Sequence, residues 1–148
     1  MAEKMTKERA SELMTQGFHC SQVVFEHAAR LKGMDPMEAR RISAGLGGGA
    51  FHGEMCGTVS GADLGIGLFY GYDKPNAEAE NELMIAKIRE FHEKFIAKHG
   101  SIVCRELLLH GFDFANPTED YPEDTFDNCS TYCADACAIL EEVVAERL

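Results

Sequence analysis

The stretch "GLGGGAFHGEMCGTVSGADLGIG", Gly45 to Gly67, puts nine glycines and one cysteine into 23 residues. Glycine weakens a helix and gives a strand nothing to pack. Such a run is a loop, a phosphate cradle or a surface that something approaches closely. Gly45-x-Gly47-x-x-Ala50 loosely fits a dinucleotide fingerprint, but that motif needs a strand before it and a helix after it. Here the preceding residues, Glu38 to Leu46, read as helix, and no Gly-Lys-Ser/Thr follows to make a P-loop. The phosphate reading therefore fails.

The spacing says more. Gly49, Gly53, Gly57, Gly61 and Gly65 recur at every fourth residue. If the chain is helical from about Glu54, Gly57, Gly61 and Gly65 line one edge of that helix. Three glycines inside a helix cost about 3 kcal/mol relative to alanine. A second backbone packed close by would offset this, as would a cofactor or reactive sulfur that needs the room. Beside this edge runs a polar one: His52, Cys56, Ser60 and Asp63. Asp63 is either a surface carboxylate or one that tunes the pKa of a neighbouring cysteine.

Working outward, nearly everything reads as helix. Thr6 caps a helix that runs to Gln16, and Ser21 to Leu31 forms a second that Gly33 stops. "DPMEARRISAGL" opens with Asp35 as cap, Pro36 at the first helical position and Glu38 three residues on. Tyr72 to His99, closed by Gly100, reads as one long helix, with one face of Met84, Ile88, Phe91 and Phe95 and a second of Ile85, His92, Ile96 and His99. A helix apolar on two faces is expected at the centre of a bundle. Its two histidines read as partly buried packing residues. Ser101 caps a short helix through Leu109. His110 to Asn128 is a long acidic loop, and Asn128 caps a last helix from Cys129 to Arg147. No segment of strand length alternates apolar and polar residues. The expected fold class is all-α, one compact bundle of six to seven helices, forming a single domain over residues 1–148.

The net charge of −11 argues against nucleic acid, whose phosphates need clustered Lys and Arg. It argues equally against anionic lipid. The N-terminus lacks the apolar core of a signal peptide, so a cytoplasmic location is expected. No apolar run reaches 18 residues; Met55 to Tyr70 is broken by Asp63 and four glycines, so no membrane insertion is expected.

Six cysteines in such a chain point to redox or metal chemistry before structural staples. Cys20, Cys56, Cys104 and Cys129 share a placement: each falls at an expected helix start. Helix N-termini carry partial positive charge and unpaired N–H groups, which favour thiolate over thiol. Arg105 stands next to Cys104 and would add to this. The four are separated by 36, 48 and 25 residues. There is no CxxC pair for a zinc ribbon or thioredoxin site, and no CxxCH for c-type haem. Cys133 and Cys137 follow Cys129 at four-residue steps on one helix face. Their simplest role is to face the core, though the spacing would also let neighbours share a metal or pair with an earlier cysteine.

These residues carry a resemblance. "GFHCSQVVFEHAARLKGM", "GLGGG", "MCGTVSGADLGIGLFYG", "GSIVCRELL" and "C…ADACAILEEV", in this order, resemble the C_GCAxxG_C_C family of redox-active proteins. The resemblance spans about Gly17 to Val143. It places the family's four cysteines on Cys20, Cys56, Cys104 and Cys129, and its motif glycines on Gly57 and Gly61. Thr58 departs from the family's usual alanine, and Asp63 stands where the family is usually apolar. Cys133 and Cys137 inherit no role. A related domain in split-Soret cytochromes implies a cluster or electron-transfer role, without the haem motif.

Three functions follow as expectations. The first is a redox site in which Cys20, Cys56, Cys104 and Cys129 bind a soft metal or iron–sulfur cluster for electron transfer, with Gly57, Gly61 and Asp63 as candidate cofactor-facing positions. The second is a thiol–disulfide protein with cycling cysteine pairs. The third is a non-redox helical module whose glycine edge packs a partner or a second copy in a homodimer. The residues do not name a redox partner.

Overall fold

A computed structural model describes residues 3–117 and 120–148. Within them lie seven α-helices: α1 (Lys7–Thr15), α2 (Cys20–Lys32), α3 (Pro36–Ser43), α4 (Gly57–Tyr70), α5 (Glu78–His99), α6 (Cys104–Leu107) and α7 (Cys129–Val143). Among the described residues the only β-type pairing is an isolated antiparallel bridge between Met55 and Val103. The all-α expectation holds. No helix among the described residues is long and apolar enough to cross a membrane.

Local chemistry sets the helix ends. The Thr6 hydroxyl accepts from the Arg9 N–H at 3.0 Å, and the Asp35 carboxylate accepts from the Met37 N–H with Pro36 opening α3. Gly33 ends α2 in the left-handed region at φ 84°, where the Met34 N–H returns to the Ala29 carbonyl. The expected capping contributions at Ser101 and Asn128 divide. The Ser101 Oγ accepts from the Val103 N–H and donates to Glu106, whereas the Asn128 side chain makes no cap bond. The short helix is only four residues, Cys104–Leu107, because Leu108 is extended and His110 is left-handed. Two residues of the acidic loop, 118 and 119, lie outside the described residues.

The central helix is α4, not α5. Along α4, Val59, Ala62 and Ile66 are fully buried, and Phe69 and Tyr70 nearly so. By contrast α5 buries only Phe91 and Phe95 completely. Its expected second face turns outward, with Ile85 37% and Ile96 41% exposed. The histidines on that face explain the difference. His92 hydrogen-bonds the Asp63 carboxylate on α4, and His99, packed against Phe95 and Tyr132, faces the Asp135 carboxylate on α7 at 3.0 Å, so this side of α5 meets polar groups. An apolar period alone could not separate a rim from a core.

The glycine edge does what its spacing predicts. A Cβ on Gly61 would stand 2.8 Å from the Ser21 carbonyl oxygen, and one on Gly65 would stand 2.7 Å from the Ala28 Cβ. Gly61 and Gly65 thus let α4 lie against α2. The Ser21 hydroxyl, itself buried, donates to the Ser43 carbonyl and ties α2 to the end of α3. Farther along α2, Glu26 is buried between Arg30 and Arg40, and Arg40 also stacks on Phe18. A carboxylate this enclosed is tolerable because both of its oxygens are paired.

Candidate functional site

Four helix beginnings converge on one cavity. Cys20 is the first residue of α2, Cys56 the N-cap of α4, Cys104 the first residue of α6 and Cys129 the first of α7. All four line the same cavity of about 350 Å³. None of its lining residues is Asp, Glu, Lys or Arg. Besides the sulfurs it is walled by leucines, methionine and aromatic rings, with Phe51, Phe112, Phe114 and Phe126 toward the acidic loop. Phe112 meets Phe114 and Phe126 edge-to-face, at 4.9 and 5.1 Å between ring centroids.

Two backbone devices bring the sulfurs together. The first is the Met55–Val103 bridge. The Cys56 N–H donates to the Ile102 carbonyl at 2.7 Å and the Cys104 N–H donates to the Glu54 carbonyl at 2.5 Å. Two helix starts distant in sequence are thereby clamped side by side. The second is the turn before α4. Gly48, Gly49, Ala50 and Phe51 all take φ between 56° and 61°, one left-handed turn in a row. Glycine adopts this freely, but each L-residue there costs about 1–2 kcal/mol. Ala50 and Phe51 carry that strain at the cavity. The turn points the Gly48 N–H at the Cys20 sulfur and sets Phe51 edge-to-face with His19.

Gly57 answers what comes close to Cys56. A Cβ there would stand 2.5 Å from the Cys20 Sγ and 3.1 Å from both the Leu46 carbonyl oxygen and the Ser21 nitrogen. The approaching group is another sulfur. Gly57 therefore belongs to the site directly, and Gly61 only to the packing behind it.

All six cysteines are free thiols. The expected thiolate bias of the helix starts does not prevail. Burial pushes Cys20, Cys56, Cys104 and Cys129 all upward, Cys104 and Cys129 to about 12. The neighbouring sulfurs add to this for Cys20, Cys104 and Cys129, because several anions cannot share one apolar cavity without repulsion. For Cys56 the Thr58 hydroxyl and the N–H groups of Thr58 and Val59 oppose burial, and for Cys20 the Gly48 N–H does so. Arg105 does not help Cys104. Its guanidinium reaches Glu54 at 2.8 Å and the Gly53 carbonyl at 3.3 Å.

The polar edge is not continuous. His52 sits in the turn before α4, exposed, with its Nδ1 donating to the Ala50 carbonyl at 2.9 Å. Ser60 donates back to the Cys56 carbonyl. Asp63 does not line the cavity. Its carboxylate takes His92 Nε2 at 2.9 and 3.0 Å. Burial raises the Asp63 pKa against the opposing pull of His92. A carboxyl with a raised folded pKa contributes stability at low pH that is lost as pH rises from the unfolded value, 3.8, through the folded one. Asp63→Asn is expected to remove this decline, which a chemical denaturation series across the acid range would register. An unchanged pH slope in the variant would show that Asp63 is not its source.

Cys133 and Cys137 are both fully buried in the core. Cys133 sits next to the site, its Sγ 4.0 Å from the Cys20 carbonyl oxygen. The sequence marked Thr58 only as a departure from the family's alanine, and had no signal for the left-handed turn or the aromatic wall, since each depends on what the loop folds against. Among the described residues no three His, Cys, Asp or Glu side chains converge tightly enough to hold a single ion. The four sulfurs instead stand around a cavity.

Comparison with known proteins identifies a family. Residues 18–143 match the family described as "Putative redox-active protein (C_GCAxxG_C_C)". No curated protein and no solved structure matches the chain.

Proposed function

Because the chain belongs to the C_GCAxxG_C_C family, we propose that Cys20, Cys56, Cys104 and Cys129 form one electron-transfer centre that holds an iron–sulfur cluster or another soft-metal group. The observation that carries this reading is the convergence of four unpaired thiols from four helix starts on one uncharged cavity. An all-sulfur donor set suits soft metals and clusters. Zinc holds its thiolates at about 2.3 Å from one point. Sulfurs ringing a cavity of about 350 Å³ suit a group of several atoms better. When bound, such a group would supply one-electron transfer. The chain's own part is to surround it with Leu107, Leu108 and the phenylalanine wall, which limit water, and to set helix N-termini and the Gly48 N–H against the charge of the sulfurs. The raised thiol pKa values mean that loading must release protons.

Protein prepared without oxygen is expected to show a visible absorption band with iron and acid-labile sulfide. Colourless protein free of metal, with the four thiols all titratable, would sink the reading.

The bridge that clamps Cys56 beside Cys104 favours a second reading, in which these two thiols cycle as a disulfide. Two thiols would give two electrons and two protons to a small disulfide acceptor, which leaves as two thiols. This predicts loss of two titratable thiols on mild oxidation, restored by reductant; a thiol count that never changes would exclude it.

A further inference from the structure

Thr58 is the second residue of α4 and is fully buried. It lines the cavity, and its Oγ1 stands 3.1 Å from the Cys56 Sγ. Among the described residues this is the one hydrogen bond that its hydroxyl makes. A threonine in a helix commonly turns its hydroxyl to the carbonyl one turn back. Here the residue one turn back, Glu54, lies before the helix with non-helical backbone, and its carbonyl is turned to the Cys104 N–H. Thr58 points at sulfur instead. Between two neutral groups either atom can donate. A sulfur that has lost its proton, to solvent or to a metal, can only accept, and then Thr58 is the donor.

This arrangement distinguishes Cys56 from its partners. Among the described residues Cys20 receives a backbone N–H from Gly48, Cys56 those of Thr58 and Val59 beside the hydroxyl, and Cys104 and Cys129 none. Around Cys56 stand Cys20 from α2, Cys104 from α6, and Cys129, Tyr132 and Cys133 from α7. None is a cation. Among the described residues the only side-chain donor set against charge on this sulfur is Thr58.

We propose that Thr58 is a positioning residue, orienting the Cys56 Sγ and raising the reduction potential of the four-sulfur centre by donating a hydrogen bond to it. The inference rests on the four-cysteine reading given above. Reduction adds negative charge to the sulfurs. A donor aimed at sulfur therefore stabilises the reduced state more than the oxidised one. A cysteine pair is reduced to neutral thiols, and there the sign is the same for another reason: a thiol exchanges a hydrogen bond with the hydroxyl that a disulfide sulfur accepts only weakly.

The test compares the native chain with Thr58→Val, which keeps the shape and deletes the hydroxyl, and Thr58→Ser, which keeps the hydroxyl. The first measurement is the equilibrium between the centre and a reference dye of known potential. Thr58→Val is expected to disfavour the reduced form about tenfold, which is about 59 mV for a one-electron couple and about 30 mV for a two-electron one. Thr58→Ser is expected to return to within about threefold of the native value. The second measurement is the alkylation of Cys56 by iodoacetamide at one pH in reduced, metal-free protein, resolved by peptide mass. Thr58→Val should slow it about threefold, since nucleophilicity offsets part of the lost thiolate. An unchanged equilibrium in Thr58→Val, or a Thr58→Ser chain as far shifted as Thr58→Val, overturns the proposal. If the native chain shows no reversible couple, the four-cysteine reading fails by itself. The alkylation rate then decides the Thr58–Cys56 bond, and equal rates overturn it.

Discussion

Gly61→Ala is expected to destabilise the protein by up to about 2 kcal/mol, although alanine is the better helix former. The added methyl would lie 2.8 Å from the Ser21 carbonyl oxygen and within 3.4 Å of two further backbone atoms of Ser21. No flexible side chain can move aside there, and Ser21 is itself fixed through its hydroxyl to Ser43. Overpacking of this kind costs about 1–3 kcal/mol, and the helix propensity of alanine returns about 1 of it. Gly67→Ala is the matched control, on the same helix with nothing within 4 Å of the new methyl. It should gain about 0.5–1 kcal/mol. Thermal unfolding would read the contrast as opposite shifts of a few degrees. If both variants moved Tm upward, the close seating of α4 on α2 would be wrong. Gly57→Ala strikes elsewhere, since its methyl meets the Cys20 Sγ and not backbone alone. Its expected effect is on the redox centre more than on Tm.

How much of this was legible in the sequence follows from what each feature depends on. The caps at Thr6 and Asp35 and the stops at Gly33 and Gly100 are local, so their residues announce them. The four-residue glycine period implied a neighbour along one edge, and Ser21 and Ala28 of α2 supply it. Placing Cys20, Cys56, Cys104 and Cys129 at helix starts needed only local reasoning as well. What that reasoning misjudged is electrostatic. A helix start in water lowers a thiol pKa, but burial reverses the sign, and burial is a property of the finished fold. Arg105 fails for the same reason, because its partner Glu54 comes from another segment. The inversion of α4 and α5 has a related cause. His92 and His99 are the partly buried packing residues they looked like, His99 against Phe95 and Tyr132, but the carboxylates of Asp63 and Asp135 that face them lie 29 and 36 positions away in sequence.

Changing one cysteine at a time is expected to separate the two readings of the centre. If the four sulfurs hold one group, Cys20→Ser, Cys56→Ser, Cys104→Ser and Cys129→Ser should each abolish the visible band and the bound metal. Losing a ligand should lower affinity by more than the roughly 10–100-fold that the loss of an outer-shell partner costs. If instead pairs of thiols cycle, each replacement disables only its own pair. Cys56→Ser and Cys104→Ser would then remove the same two oxidisable thiols, while oxidation of the others persisted. Cys133→Ala and Cys137→Ala supply the comparison. Both residues are fully buried and neither lines the cavity, so their loss should cost about 1 kcal/mol of stability and leave the centre in place. Cys133 is the stringent case, since its sulfur stands 4.0 Å from the Cys20 carbonyl oxygen. Should Cys133→Ala empty the centre as completely as Cys20→Ser while the fold remains intact by circular dichroism, the ligand set would have to be redrawn around five sulfurs. Should all four Ser variants keep the native spectrum and lose as many thiols on mild oxidation as the native chain does, neither redox reading would survive.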